Sequence, residues 1–120
     1  MAELAPELVA AMVGPDAEPA CVKAATEVMA RVPGETYRKA LHALVGFDRR
    51  DALAAIRVPT LAIAGERDEN APPSVMERMA ARIAGAEYRV LAGCGHLANL
   101  ERPRPFNELV LAWLGRHFAA

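Results

Sequence analysis

The stretch Val58-Pro59-Thr60-Leu61-Ala62-Ile63-Ala64 most constrains what this chain can become. Thr60 to Ala64 is a short continuous apolar run, the pattern of a strand buried on both faces. It runs into Gly65-Glu66-Arg67-Asp68, and a helix follows. Pro72-Pro73-Ser74 opens that helix, Val75, Met76, Met79, Ala80 and Ile83 form its apolar face, and Gly85 ends it. Glu87 to Leu91 reads as a second strand. A last helix runs from near Pro103 to about His117 on a stripe of Phe106, Leu109, Val110, Trp113 and Leu114. Two strands joined through a helix imply parallel pairing with a right-handed crossover. The class is α/β, a β-α-β-α unit, and ligands of such sheets sit outside the carboxyl ends of the strands.

Before residue 58 the pattern is helical. Leu4, Leu8, Val9 and Met12 follow helical spacing up to the stop at Gly14-Pro15. A second helix starts near Pro19, a good first-turn residue, and reaches about Arg31 with Val22, Ala25, Val28 and Met29 on its apolar side. Pro33-Gly34 breaks it. A third covers about Glu35 to Val45, with Tyr37, Leu41, Leu44 and Val45 expected to face inward. Asp51 is expected to cap a short helix from Ala52 to Ile56, which makes Asp48-Arg49-Arg50-Asp51 a solvated boundary. The chain therefore divides into helical residues 1–57 and a β-α-β-α part, residues 58–120.

Composition excludes several classes of function. With 120 residues, one domain is the most the chain can hold. A formal charge of -1, without a basic block, gives no electrostatic footprint for nucleic acid or an anionic membrane surface. No apolar run approaches the roughly 20 residues needed to span a bilayer, and the acidic Met1-Ala2-Glu3 start is unlike a signal peptide. Cys21 and Cys94 lack metal-ligand spacing and are too few for a disulfide scaffold, so a reducing, cytoplasmic setting is expected. Met12, Met29, Met76 and Met79 fit core positions, and His42 and His117 lie on helices without a ligand partner at suitable spacing. Neither a metal nor an organic cofactor is called for.

Two ionisable residues stand at the strand ends. Asp68 follows the first strand, and His96 follows the second inside Gly93-Cys94-Gly95-His96. One helix and one strand separate them, so adjacent strands would present them side by side. A neutral imidazole can take a proton from a nucleophile when its other ring nitrogen donates to a fixed carboxylate, which also stabilises the imidazolium that forms. Gly93 and Gly95 would let the loop bend and let a substrate approach its backbone. Glu66 and Glu69 are expected in solvent. Cys94 reads as a small packed loop residue, since no helix N-terminus follows it to lower its pKa.

Residues 58 to about 118 resemble the C-terminal half of an α/β-hydrolase. The resemblance lies in V-P-T-L-x-I-x-G-E-x-D, a helix, a strand, then G-x-G-H-L-x-x-L-E-x-P and a closing amphipathic helix. It implies that Asp68 is the triad acid and His96 the triad base, in that family's order of serine, acid, histidine. Pro72-Pro73 matches the start of the helix after the acid loop; Asn99, Leu100 and Glu101 match the stretch after the histidine, in a positional role. Residues 1–57 resemble, more loosely, the end of the helical lid, or cap, inserted before the acid strand. The stretch His96 to Pro103 is similar to that of enol-lactonases and aromatic-degradation hydrolases, which implies acyl transfer on a small-molecule ester, lactone or related substrate.

The nucleophile of that chemistry is not in this sequence. Ser74 is the single serine, G-x-S-x-G does not occur, and a serine in the first turn after two prolines cannot act as a nucleophile elbow. The expectation is a C-terminal part of a hydrolase supplying lid, acid and base; the alternative is a non-catalytic remnant acting through protein association. Two parallel strands alone leave an unpaired edge and an apolar face. The isolated chain is therefore expected to self-associate, remain partly disordered, or need a complementary N-terminal chain.

Overall fold

The computed structural model describes residues 1–118. Helix α1 spans Ala5–Ala10, α2 Pro19–Ala30 and α3 Gly34–Val45, and a 3-10 turn covers Arg50–Ala55. Strand β1, Leu61–Gly65, is followed by α4, Pro73–Ala80, and strand β2, Glu87–Leu91, by α5, Ala98–Glu101, and α6, Pro103–Phe118. The strands pair in parallel, Leu61 opposite Glu87 and Gly65 opposite Leu91. Among the described residues they form the whole sheet. The expected α/β unit preceded by helices is therefore present, and no described helix is long and apolar enough to cross a membrane.

Side chains alternate across a strand, and their partners identify the two faces. On one, Ile63 and Leu91 pack with Cys94, Ala98, Phe106 and Leu109. Glu87, on the same face, accepts from Arg116 of α6 at 2.8 and 3.0 Å and meets His117 at 3.2 Å. Helix α6 thus covers this side. On the other, Ala62 and Ala64 are buried, and the Tyr88 hydroxyl donates to the Pro73 carbonyl of α4 at 2.7 Å. Leu61 and Ile63 remain only half-buried, so β1 is fully covered on its α4 side alone.

Several helical expectations shift. In α1, Ala5 and Val9 are buried while Leu4 is 54% exposed. The four methionines at 12, 29, 76 and 79 are half-buried rather than central. Helix α3 buries no residue, and Leu41, Leu44 and Val45, expected to face inward, lie open. Its amphipathic pattern is present, but nothing among the described residues covers the apolar side. The short segment after it is a 3-10 turn, and its polar anchor is Asp48 instead of Asp51: Asp48 Oδ1 accepts from the Arg50 N–H at 3.1 Å. The Arg50 side chain also holds the Asp48 carboxyl down at about 2. Helix α4 stops at Ala80, and two tight turns reach Gly85 at a positive φ.

The helical part and the strand ends meet backbone to backbone. A Cβ on Gly65 would fall on the carbonyls of Cys94 and Gly95, and one on Gly95 would fall on the Met12 carbonyl and the Gly14 nitrogen. Hydrogen bonds stitch the same surfaces: Arg67 N–H to Cys94 C=O at 2.8 Å, and His96 N–H to Met12 C=O at 2.6 Å. Gly95 was expected to leave room for a substrate; the room is taken by this chain's own Met12–Gly14 segment. Glycine is needed there because backbone cannot move aside as a side-chain tip can. Gly95→Ala should therefore lower unfolding stability by about 1–3 kcal/mol or more. Gly115→Ala, in the interior of α6 with nothing within 4 Å, should raise it by roughly 0.5–1 kcal/mol. Urea unfolding midpoints of the two variants compared with the parent check both signs.

Candidate active site

Asp68 and His96 lie side by side, as their strand ends require. Asp68 sits in the turn after β1, its own N–H bonded to the Gly65 carbonyl at 3.2 Å. The carboxylate is buried, and its two oxygens have separate tasks. Oδ1 accepts from the backbone N–H of Asn70 and of Ala71, both at 2.9 Å. Oδ2 lies 2.8 Å from Nδ1 of His96. The imidazole side chain is 41% exposed, and Nε2 makes no hydrogen bond among the described residues. With the carboxylate ionised, Nδ1 is the donor, which leaves the Nε2 lone pair outward.

Burial would push the Asp68 carboxyl up. The Ala71 N–H, the His96 ring and the Asn70 N–H outweigh that and hold it below its ordinary value. Cys94 behaves oppositely. It is completely buried, its thiol donates to the Leu91 carbonyl at 3.4 Å, and burial, followed by the Glu101 carboxylate, pushes its pKa up. It is a packed loop residue, as read from the sequence. Ser74 is exposed in the first turn of α4, and no hydrogen bond joins it to His96. His42 lies exposed on α3, and His117 stacks on Trp113 at 4.9 Å while meeting Glu87. Among the described residues no cluster of His, Cys, Asp and Glu converges as metal ligands do.

Two depressions flank the pair. An open cavity of about 760 Å³ is bordered by Asp68, Glu66, Arg67, Pro72 and Val13. A smaller apolar groove of about 270 Å³ lies between α1, α2 and Leu97, the residue after His96. Glu69 is exposed as expected; Glu66 is exposed too, yet its carboxylate accepts from the Gly93 N–H at 2.9 Å and so steadies the loop that carries His96. Three further groups hold the histidine loop; of these only Glu101 was expected from the sequence, in a positional role after the histidine. The carbonyl of Met12, the N–H of Gly14 and the buried carboxylate of Glu101 all close on Gly95 and His96. The first two are backbone groups without a residue signature. Glu101 left a trace, an acid at a position that the apolar neighbours Leu97, Ala98 and Leu100 mark for packing.

The depressed Asp68 carboxyl carries a pH dependence of fixed sign. A carboxyl whose folded value lies below its unfolded value of about 3.9 favours the folded state while ionised. That contribution is fully present above about pH 5 and is lost as pH falls through the folded value. The stability gap between the parent and Asp68→Asn should accordingly be level from about pH 5 upward and close below pH 4. Denaturant midpoints across that range measure it; a gap that widens on acidification would contradict the assignment.

The description "alpha/beta hydrolase family" matches residues 2–109. A proline iminopeptidase of Lactobacillus helveticus is 34% identical over 71 residues, 59% of this chain and 24% of that protein. A thermophilic esterase from Thermogutta terrifontis superposes with a TM-score of 0.87 at 27% identity, covering 96% of this chain and 44% of its own. The enol-lactonase from Burkholderia xenovorans LB400 gives a TM-score of 0.86 at 30% identity, covering 93% and 44%. The chain thus spans about a quarter of that curated relative and under half of those solved chains. With a match across most of its length and the same architecture in both structures, this chain belongs to the alpha/beta hydrolase family.

Proposed function

We propose that this chain is the acid-and-base part of a hydrolase that cleaves a carboxylic ester, lactone or related bond through a serine nucleophile. Residues 1–57 are the end of its cap and residues 58–120 the C-terminal part of its core. One observation carries the reading: the 2.8 Å contact between Asp68 Oδ2 and His96 Nδ1, with Nε2 left outward on a half-exposed ring. In this mechanism Nε2 takes the proton of a serine hydroxyl as its oxygen bonds to the substrate carbonyl carbon. Asp68 stabilises the imidazolium, which then returns the proton to the departing alkoxide. Water repeats the sequence on the acyl-enzyme, and the free acid and the serine are regenerated.

The serine comes from outside these 120 residues. Cys94 is shut away as a neutral thiol, and Ser74 has no link to the imidazole. The position of a complementary chain is suggested by the backbone of β1. Thr60 C=O accepts from Glu87 N–H, and Glu66 N–H donates to Leu91 C=O, each at 2.9 Å. By strand alternation the peptide groups of Leu61 and Ile63 then face away from β2, open to another parallel strand. The esterase and enol-lactonase, more than twice as long, fit a reading in which this chain supplies less than half of the working enzyme.

A second reading has one observation in its favour. Leu41, Leu44, Val45 and Phe47 form an exposed apolar row, 44% to 90% accessible, of the kind that marks an interaction surface. A chain lacking its nucleophile could act through that surface alone, by self-association or by binding another protein.

Two measurements separate the readings. A fluorophosphonate probe should leave the purified 120-residue chain unlabelled and should label a serine in its assembly with a complementary N-terminal chain. Labelling of the isolated chain would overturn the claim that the nucleophile lies elsewhere. In that assembly Asp68→Asn should reduce ester turnover by about 10⁴-fold, because the imidazole loses the partner that fixes its tautomer. Unchanged turnover would remove Asp68 from the mechanism, and an assembly that neither labels nor turns over ester would leave association as the function. Sedimentation of the isolated chain should reveal oligomers; a concentration-independent monomer with one sharp unfolding transition would count against both readings' use of the open surfaces.

A further inference from the structure

The geometry points to Glu101 as the positioning residue for His96, acting through the Gly95 peptide and tying the base loop to the segment that enters α2. This rests on the reading of His96 as the base. Glu101 is 4% exposed. Its Oε2 accepts from the Gly14 N–H at 2.7 Å, and its two oxygens share the Gly95 N–H at 3.0 and 3.1 Å. No cation among the described residues pairs with it; the neighbouring Arg102 guanidinium reaches its backbone carbonyl and that of Gly93 instead. A buried carboxylate without a counter-charge is an expensive way to fill space, and an apolar side chain would pack there more cheaply. What the carboxylate supplies is geometric. Two acceptor oxygens at fixed separation join the Gly14 and Gly95 peptides, which are far apart in sequence.

The next peptide completes the arrangement, since the His96 N–H donates to the Met12 carbonyl at 2.6 Å. The peptide N–H groups of residues 95 and 96 are therefore both tied to the 12–14 segment, one directly and one through Glu101. Asp68 is anchored independently, by the amides of its own turn at Asn70 and Ala71. The two halves of the Asp68–His96 pair thus have separate anchors. Loosening Glu101 releases His96 and leaves Asp68 in place. A displacement of the α1–α2 connection would reach the imidazole by the same route.

Glu101→Gln tests this with little change of shape. With its oxygen at the Oε2 position the amide can still receive the Gly14 N–H, but its NH₂ then stands where Oε1 receives the Gly95 N–H at 3.0 Å, so the Gly95 contact is weakened. With three histidines in the chain, ¹⁵N-histidine labelling gives a sparse spectrum in whichever assembly the protein forms. The proton on His96 Nδ1 should exchange with water about tenfold faster in the variant, the effect of weakening one charged hydrogen bond. The ring signals of His117 should keep their positions, as should the amides of Asn70 and Ala71 in a uniformly ¹⁵N-labelled sample. Unaltered Nδ1 exchange in a folded E101Q protein would overturn the proposal. Should the variant not fold, the parent still decides. In uniformly ¹⁵N-labelled parent protein the Gly14 and Gly95 amides should be protected from solvent exchange together, opening at one common rate, and independent exchange of the two would refute the anchor. None of these readouts needs a serine, so they stand or fall apart from the labelling experiment on the proposed hydrolase.

Discussion

Where β1 ends, the space in which a side chain of Gly65 would stand is already filled by the carbonyls of Cys94 and Gly95. On the far side of Gly95 the same is true of the Met12–Gly14 backbone. Three chain segments are stacked at main-chain separation, with no side chain between them to flex. Parallel pairing delivers both strand ends to one edge of the sheet. The glycine contacts then set how far apart the two loops lie. An Asp68–His96 bond of 2.8 Å is reached because its supports are backbone atoms, which vary less in position than rotamers do.

That arrangement explains what the amino-acid sequence could and could not disclose. The strands, the crossover helix and the Asp68–His96 pair were legible because each depends on local pattern and on the order of elements. An apolar run, a proline-opened helix and an ionisable residue after each strand suffice. Helix α6 was legible in large part, since Phe106, Leu109, Val110 and Trp113 are its more covered residues, while Leu114 of the same expected stripe is 40% exposed. The contacts that aim His96 were not. A carbonyl at Met12 and an N–H at Gly14 have no side-chain signature, and their distance in sequence from Gly95 conceals the encounter. Asp48 and Asp51 illustrate a smaller limit. Both are acids beside the same turn, and the choice between them depends on backbone geometry at Arg49 that composition does not encode.

Helix α3 teaches something different, because its pattern was read correctly and its burial was not. Leu41, Leu44 and Val45 share one side, as an amphipathic helix requires. Periodicity tells which residues want a partner, not whether one is present. The same applies to β1, whose outer peptide groups are free while Ala64 beside them is 2% exposed. Such a strand is typical of a sheet interior, and here it stands at the margin of a two-stranded sheet. Edges of this kind invite pairing with another chain, and Leu41, Leu44 and Val45 of α3 add a second uncovered apolar surface.

The hydrogen bond from the His96 N–H to the Met12 carbonyl bears on how this chain divides into inheritable parts. Cutting the sequence at the helix-to-strand boundary near residue 57 looks natural on paper, yet it would separate the imidazole from the peptide that holds it. The smallest portion that could be exchanged between proteins with the Asp68–His96 contact intact begins upstream of Met12. Such a portion carries its helical segment along as scaffolding, whatever else that segment does. Any exchange that keeps the contact must move the two as one piece, and the segment before α2 must stay compatible with a loop far along the chain.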